Sequence, residues 1–85
     1  MNFQVRVFVT PKPSILDPQG KAVANSLHSL GYDEVVEARL GKLIELRLGG
    51  ADREAVSARV DEMCRRLLAN QIIEDYRFEI EEARS

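Results

Sequence analysis

The chain has 85 residues, of which 45% are hydrophobic and 31% charged, and its formal net charge at pH 7 is −2. This length predicts one domain over residues 1–85, and the acidic balance disfavours nucleic acid as a partner, because domains that bind it carry a basic excess. A single cysteine excludes an internal disulfide, and no apolar run approaches the roughly 20 residues of a membrane-spanning helix.

The N-terminal residues predict a β-strand. Phe3, Val5, Val7 and Val9 alternate with other residues, which is the period of two expected for a strand with one buried face. The pattern differs from the charged and apolar regions of a signal peptide, so we expect a cytoplasmic protein.

A proline-rich connection then leads into a helix. Three prolines between residues 11 and 18 restrict the backbone, so we expect a stiff, exposed loop rather than a mobile lid. Asp17 suits a helix N-cap and Pro18 suits the first helical position. Apolar residues at helical spacing, followed by Gly31, predict a helix over about Pro18–Leu30.

The second half of the chain predicts a hairpin, a helix and a last strand. Alternating segments at Val36–Leu40 and Ile44–Leu48 flank a turn at residues 41–42, as is typical of a β-hairpin. An apolar stripe with a capping aspartate predicts a helix between about residues 52 and 69. A final alternation over Tyr76–Ile80 predicts the last strand.

This βαββαβ order predicts a ferredoxin-like α/β fold of the α+β two-layer sandwich type. We expect a four-stranded antiparallel sheet with both helices on one face. The uncovered face would carry a mixed set of side chains, namely Gln4, Arg6, Phe8, Thr10, Leu43, Glu45 and Arg47, flanked by Val35, Glu37, Arg39, Arg77, Glu79 and Glu81. Two interpretations stay open for it: a solvated face with cross-strand charge pairs, or a contact surface with Phe8, Val35 and Leu43 as apolar anchors.

The sequence contains no set of residues typical of catalysis, and we predict no catalytic, cofactor or metal site. His28 is the only histidine, and no serine–acid arrangement or metal-ligand spacing surrounds it, so we expect it at the surface or an interface. Cys64 lies on the apolar side of a helix, where cysteine usually packs as a small hydrophobe. Lys12 and Lys21 bracket the loop and are interpreted as bare surface lysines or as contacts for an anionic group.

Several functions are known for this topology, and each needs its own residues. An RNA-recognition module needs aromatic residues on its third strand, and Leu43–Leu48 has none. A soft-metal carrier needs paired cysteines in the first loop, which are absent. An ACT-like regulatory domain, which binds a small metabolite at a dimer interface, remains the alternative because it needs no strong motif.

From Val5 to Glu81 the chain resembles the PurS family. Two blocks carry most of the resemblance: Leu16–Val23, which contains Leu-Asp-Pro-Gln-Gly, and Met63–Asn70, which contains Leu-Leu-Ala-Asn. Shorter matches are Val7–Val9, Lys12-Pro13, Leu27–Tyr32, Arg39, Gly41-Lys42, Ile44–Leu46 and Ile73–Tyr76. The chain departs from the family pattern at Pro11, Ser14 and Gln71, which affects only loop detail.

PurS proteins are small accessory subunits of phosphoribosylformylglycinamidine synthase in de novo purine biosynthesis. The resemblance implies a part in the ATP-dependent conversion of formylglycinamide ribonucleotide to formylglycinamidine ribonucleotide by a carbon–nitrogen ligase complex. A PurL-like synthetase would bind ATP and magnesium, and a PurQ-like glutaminase would release ammonia from glutamine. The chain itself would bind no cofactor and have no activity alone.

The same resemblance implies a bridging role. Ammonia in water at neutral pH is largely protonated and so not nucleophilic, which favours transfer between the two active sites along a closed path. We expect a homodimer or homotetramer that docks between the two larger subunits. The predicted partner-interface residues are Phe8, Lys12, Pro13, Asp17, Gln19, Lys21, His28 and Arg39.

Overall fold

The computed structural model describes residues 1–83. It contains a three-stranded antiparallel sheet in the order β2-β1-β3. The elements are β1 (Asn2–Pro11), α1 (Pro18–Ser29), β2 (Lys42–Gly49), α2 (Arg53–Met63), a π-helical turn (Cys64–Leu68) and β3 (Glu74–Ala83). No helix within residues 1–83 has the length and apolar character needed to cross a membrane.

The central strand β1 pairs along most of its length with both neighbours. Its register runs from Asn2↔Gly49 to Val9↔Lys42 with β2, and from Asn2↔Ala83 to Pro11↔Glu74 with β3. The predicted alternation is confirmed, because Phe3, Val5, Val7 and Val9 are at most 2% exposed. These side chains form one core with residues of α2 and the turn after it: Val56, Val60, Cys64 and Ala69.

α2 is fixed to the sheet mainly through β3. The Asp52 carboxylate caps it by accepting a hydrogen bond from the Ala55 N–H at 2.8 Å. The Tyr76 hydroxyl donates to Asp61 Oδ1 at 2.6 Å, and Arg53 donates to the Ile80 carbonyl oxygen at 2.7 Å. α2 therefore leaves the β2 side of the same sheet face less well covered.

The predicted ferredoxin-like fold with a four-stranded sheet is wrong. The expected strand at Val36–Leu40 does not pair with β2, although its backbone leads directly into that strand. Side chains from the preceding loop and helix hold this segment instead: Asp17 accepts a hydrogen bond from the Leu40 N–H, and His28 donates to the Val35 carbonyl oxygen. For the same reason, Val35, Glu37 and Arg39 do not flank the uncovered sheet face.

The prediction that both helices cover one face is also wrong, because α1 has at most marginal contact with the strands. We call residues 12–41 the arm; it comprises the proline-rich loop, α1 and the segment that leads into β2. The arm makes the molecule elongated, with extents of 50 × 29 × 14 Å. The radius of gyration is 16.4 Å, whereas a compact chain of this length has about 12 Å.

Candidate functional site

An open cleft of about 310 Å³ lies on the arm between the proline-rich loop, α1 and residues 36–39. Six of the eight predicted partner-interface residues line it: Lys12, Pro13, Asp17, Lys21, His28 and Arg39. Gln19 is exposed in the first turn of α1 but does not line the cleft. Phe8 lies elsewhere, on the uncovered face of the sheet. The structure thus brings together residues that are up to 27 positions apart.

Asp17 organises the cleft and has no free carboxylate oxygen. Its Oδ1 accepts the Gly20 N–H at 2.9 Å, which confirms the predicted N-cap, and its Oδ2 accepts the Leu40 N–H at 2.9 Å. The hydrogen bond from Gly20, followed by the one from Leu40, lowers the pKa of Asp17 below its ordinary value of 3.8. The charged carboxylate therefore joins the proline-rich loop, the start of α1 and the end of the extended segment that precedes β2.

Gly20 allows the segment to lie directly against α1. A Cβ atom at this position would be 2.3 Å from the Ala38 carbonyl oxygen, which is too close for any side chain. The glycine of the Leu-Asp-Pro-Gln-Gly block is thus needed for close backbone approach, as is common for glycine in helices that pack tightly.

His28 closes the other end of the cleft. Its Nε2 lies 2.7 Å from the Val35 carbonyl oxygen, and because a carbonyl oxygen only accepts, Nε2 must carry the hydrogen. The histidine therefore holds the segment to the last turn of α1. Its side chain is exposed, so the surface position predicted for it is confirmed.

The cationic groups of the cleft fall into two classes. Lys12 is engaged, because its Nζ lies 2.8 Å from Asp75 Oδ1 and its N–H donates to the Ile73 carbonyl oxygen. Lys21 and Arg39 form no ion pair within residues 1–83. These two side chains remain available to bind a carboxylate or another acceptor from outside the chain.

Residues 36–39 add unpaired backbone groups to the cleft wall. Within the described part of the chain, their N–H and carbonyl groups form no hydrogen bond with backbone or side chains. An extended peptide with free donors and acceptors favours pairing with a strand or loop of another protein. The cleft is therefore suited to binding a protein surface.

The uncovered sheet face is a second, weaker candidate. The Arg77 guanidinium carbon Cζ lies 4.1 Å from the centre of the Phe8 ring, and β2 places Leu43, which is 50% exposed, opposite Phe8. Charged residues surround this pair, with Arg6 and Glu81 at 4.0 Å. The arginine partly covers the ring, so Phe8 is a smaller apolar anchor than the sequence indicates.

The structure offers few groups for direct chemistry. In residues 1–83, no three His, Cys, Asp or Glu side chains are placed to hold a metal ion together. Cys64 is fully buried, and burial raises the pKa of its thiol. A buried thiol with a raised pKa is a poor nucleophile.

Sequence patterns did not reveal one feature of the arm, its exposed apolar side chains. Val36 is 96% exposed, Leu16 80% and Leu30 74%. Leu30 belongs to a helical stripe that predicts contact with the chain's own sheet, and Val36 belongs to an alternation that predicts a strand. Neither pattern distinguishes a surface covered within the chain from one that another molecule covers.

The matches to known proteins extend over both the core and the arm. A family model described as "PurS: Phosphoribosylformylglycinamidine (FGAM) synthase" matches residues 4–82. The Bacillus subtilis phosphoribosylformylglycinamidine synthase subunit PurS is 51% identical over 80 residues, which cover 94% of each chain. The Synechocystis subunit of the same name is 49% identical over 79 residues, covering 93% of this chain and 79% of that one.

Solved structures have the same overall shape. The chain matches Thermus thermophilus PurS with a TM-score of 0.88 and 33% identity, covering 99% of this chain and 100% of that one. It matches the B. subtilis PurS C2 crystal form with a TM-score of 0.82, covering 94% and 99%. It also matches a chain of the Thermotoga maritima PurLQS structure with a TM-score of 0.87 and 26% identity, covering 94% and 98%.

Proposed function

The chain belongs to the PurS family of phosphoribosylformylglycinamidine synthase subunits in purine biosynthesis, and from this premise we propose that it bridges a PurL-like synthetase and a PurQ-like glutaminase. The T. maritima PurLQS structure, in which a similar chain occurs, supports these two partners. The alternative of an ACT-like regulatory domain loses its support, because the chain belongs to a different family and because residues 1–83 form a three-stranded sheet rather than the four-stranded one of the topology from which that alternative was drawn.

In this role the chain contributes geometry rather than reaction chemistry. The synthetase partner would bind ATP, magnesium and the ribonucleotide, and the glutaminase partner would release ammonia. Ammonia must reach the synthetase before water protonates it, so the two active sites need a fixed relative position. The cleft fits such a positioning role, because some of its charged residues hold the arm in shape and the others are available to contact another protein.

We place the partner contact in the cleft of the arm. The observation that carries this placement is the convergence there of six predicted interface residues, together with the free cations Lys21 and Arg39. The unpaired peptide groups of residues 36–39 line the same cleft as these cations. An acidic loop or strand edge of a larger subunit would satisfy both the charges and the backbone groups.

The proposal includes self-association and a cytoplasmic location. A purine-biosynthetic subunit works where its nucleotide substrates are made, and the elongated shape of the chain supports a homodimer or homotetramer. No cofactor is assigned to this chain.

Charge reversal in the cleft tests the proposed docking. We expect the double variant Lys21→Glu and Arg39→Glu to lower glutamine-dependent turnover of the reconstituted three-component complex by about tenfold or more, since two charge-assisted contacts are lost. Turnover driven by added ammonium should stay unchanged, because the synthetase then needs no glutaminase.

The matched control reverses two arginines of α2, Arg59→Glu and Arg66→Glu, which are 70% and 78% exposed. This control should retain glutamine-dependent turnover. Equal turnover of the cleft variant and the control, with normal co-purification of the glutaminase, would place the contact elsewhere.

A further inference from the structure

The C-terminal end of α2 departs from α-helical geometry. Ala69 donates its N–H to the Cys64 carbonyl oxygen at 3.0 Å, which is the i→i+5 hydrogen bond of a π-helical turn. Such a turn holds one residue more than an α-helical turn, so the side chains at its end are rotated about the helix axis. The turn lies in the Met63–Asn70 block of the sequence resemblance, and this block does not line the cleft.

The π turn decides which of two neighbouring leucines packs on the core. Leu67 lies seven residues after Val60 and four after Met63, so in a regular α-helix it would belong to the buried stripe. In the structure Leu67 is instead 82% exposed, and Leu68 packs against the core. The core thus contains Leu68 where an α-helical turn would place Leu67.

These two registers of the turn are close in free energy. Each register buries one leucine and exposes the other, so the apolar area removed from water is similar. The α register would regain the regular i→i+4 hydrogen bonds of the helix, whereas the π register keeps the observed contacts of the loop that follows, residues 69–73. A small free-energy gap of this kind leaves the minor state populated at about 0.1–10%.

The register of the turn also affects the start of the arm. The loop 69–73 ends at the Ile73 carbonyl oxygen, which accepts the Lys12 N–H at 2.9 Å. Two residues later, Asp75 binds the Lys12 Nζ at 2.8 Å. An α register would rotate Ala69 about the helix axis, so the loop would have to rearrange between the helix and these two contacts with the arm.

We propose that residues 64–68 exchange between the π turn and an α-helical turn in which Leu67 replaces Leu68 on the core, and that this exchange shifts the start of the arm. Two adjacent leucines permit the exchange, because either side chain fills the same place against the core. The exchange belongs to the chain itself and needs no partner. A shift of the arm also redirects the cleft, and the effect of this on docking rests on the proposed function.

A double-variant cycle tests the exchange, because it predicts that two losses of stability do not combine independently. Leu67→Asn should lower the folding equilibrium constant less than about twofold, since it replaces an exposed side chain. Leu68→Asn alone should be partly compensated, because Leu67 then fills the core. The double variant should therefore lose at least about five times more than the product of the two single losses. Urea unfolding at one fixed protein concentration measures all four constants.

The matched control combines Leu68→Asn with a distant exposed leucine of the arm. Leu16 is 80% exposed, close to the value for Leu67. The loss in the variant Leu16→Asn with Leu68→Asn should equal the product of the single losses to within about twofold. The same equality in the cycle of Leu67 and Leu68 would show a fixed π turn and overturn the exchange.

NMR relaxation dispersion tests the wild-type chain, so the outcome does not depend on variants that fold poorly. The amides of Ala69 and Lys12 should exchange on the microsecond-to-millisecond timescale with one common rate, and Leu67→Asn should reduce the dispersion of both. Exchange at Ala69 without exchange at Lys12, or no exchange at either amide, would overturn the proposal. Neither result would affect the proposed function, which the turnover of the reconstituted complex tests separately.

Discussion

The core and the arm of this small protein are built on different principles. In the core, three strands and α2 bury Val5, Val7 and Val60 completely, and packing supplies the order. In the arm, large apolar side chains are exposed, and the order comes from Asp17 and His28, which hold the backbone by hydrogen bonds. The difference teaches that stability resides in one region and recognition surfaces in the other.

The largest expected contrast comes from one substitution made in both regions. Val60→Ala should destabilise the chain by about 2 kcal/mol, because it removes buried methyl groups and leaves a cavity. Val36→Ala should change the free energy of unfolding by less than about 0.5 kcal/mol, because this valine is 96% exposed. Urea unfolding of the two variants measures both values, and equal losses would show that the arm is as well packed as the core.

Removing the two helix caps should separate the regions in a second way. Asp52→Ala should cost about 1 kcal/mol of global stability, because α2 belongs to the cooperative core. Asp17→Ala should instead open the arm locally and raise the hydrogen-exchange rate of the Leu40 amide about tenfold or more. Amide exchange followed by NMR distinguishes them, and a purely global effect of Asp17→Ala would contradict the separation.

The pH dependence of each region follows from one carboxylate. The hydrogen bond from Tyr76 lowers the pKa of Asp61, and the N–H groups of Gly20 and Leu40 lower the pKa of Asp17, from an ordinary value of 3.8 in both cases. A carboxyl group whose pKa is lower in the folded than in the unfolded chain raises the free energy of unfolding. This contribution is complete at pH values above the ordinary pKa, and it is lost as the pH falls through the folded-state pKa. NMR titration should give midpoints below 3.8 for both residues, and a midpoint at or above 3.8 for Asp17 would show that its bonds are not formed in solution.

The last contrast between the two regions is the rate at which a cysteine in each of them reacts in the native state. Burial raises the pKa of the Cys64 thiol, so a thiol reagent should modify it at least about 100-fold more slowly than in urea. A Val36→Cys variant places a second thiol in the arm, which should react at the rate of a free thiol. Rapid modification of Cys64 in the native chain would reveal frequent opening of the core.

Sequence patterns predicted the core well and the arm poorly, for a physical reason. The strands β1 and β3, the buried face of the β1 valines, both N-caps and the helix stop at Gly31, which has a φ of 99°, follow from local chemistry. The prediction of a fourth strand was wrong because an alternation such as that of Val36–Leu40 indicates an extended backbone but does not indicate which strand, if any, it pairs with. The placement of α1 failed because an apolar stripe shows what must be covered, but not by which chain.

The cleft shows the same limit. Resemblance to the PurS family marked most of its residues, since the Leu16–Val23 block and Arg39 belong to the matching positions. Their convergence depends on the segment folding back on α1, which requires the close contact at Gly20 and the second hydrogen bond of Asp17. Those contacts join residues some 20 positions apart, and no local pattern encodes them.

Hydrogen exchange at residues 36–39 tests most directly whether the arm is the docking surface. Within residues 1–83 these amides form no hydrogen bonds, so they should exchange rapidly in the isolated protein. On addition of the synthetase and the glutaminase, we predict that their exchange slows about tenfold or more, while amides of the buried strand β1 remain unchanged. Complex formation with no change in exchange at residues 36–39 would contradict the account.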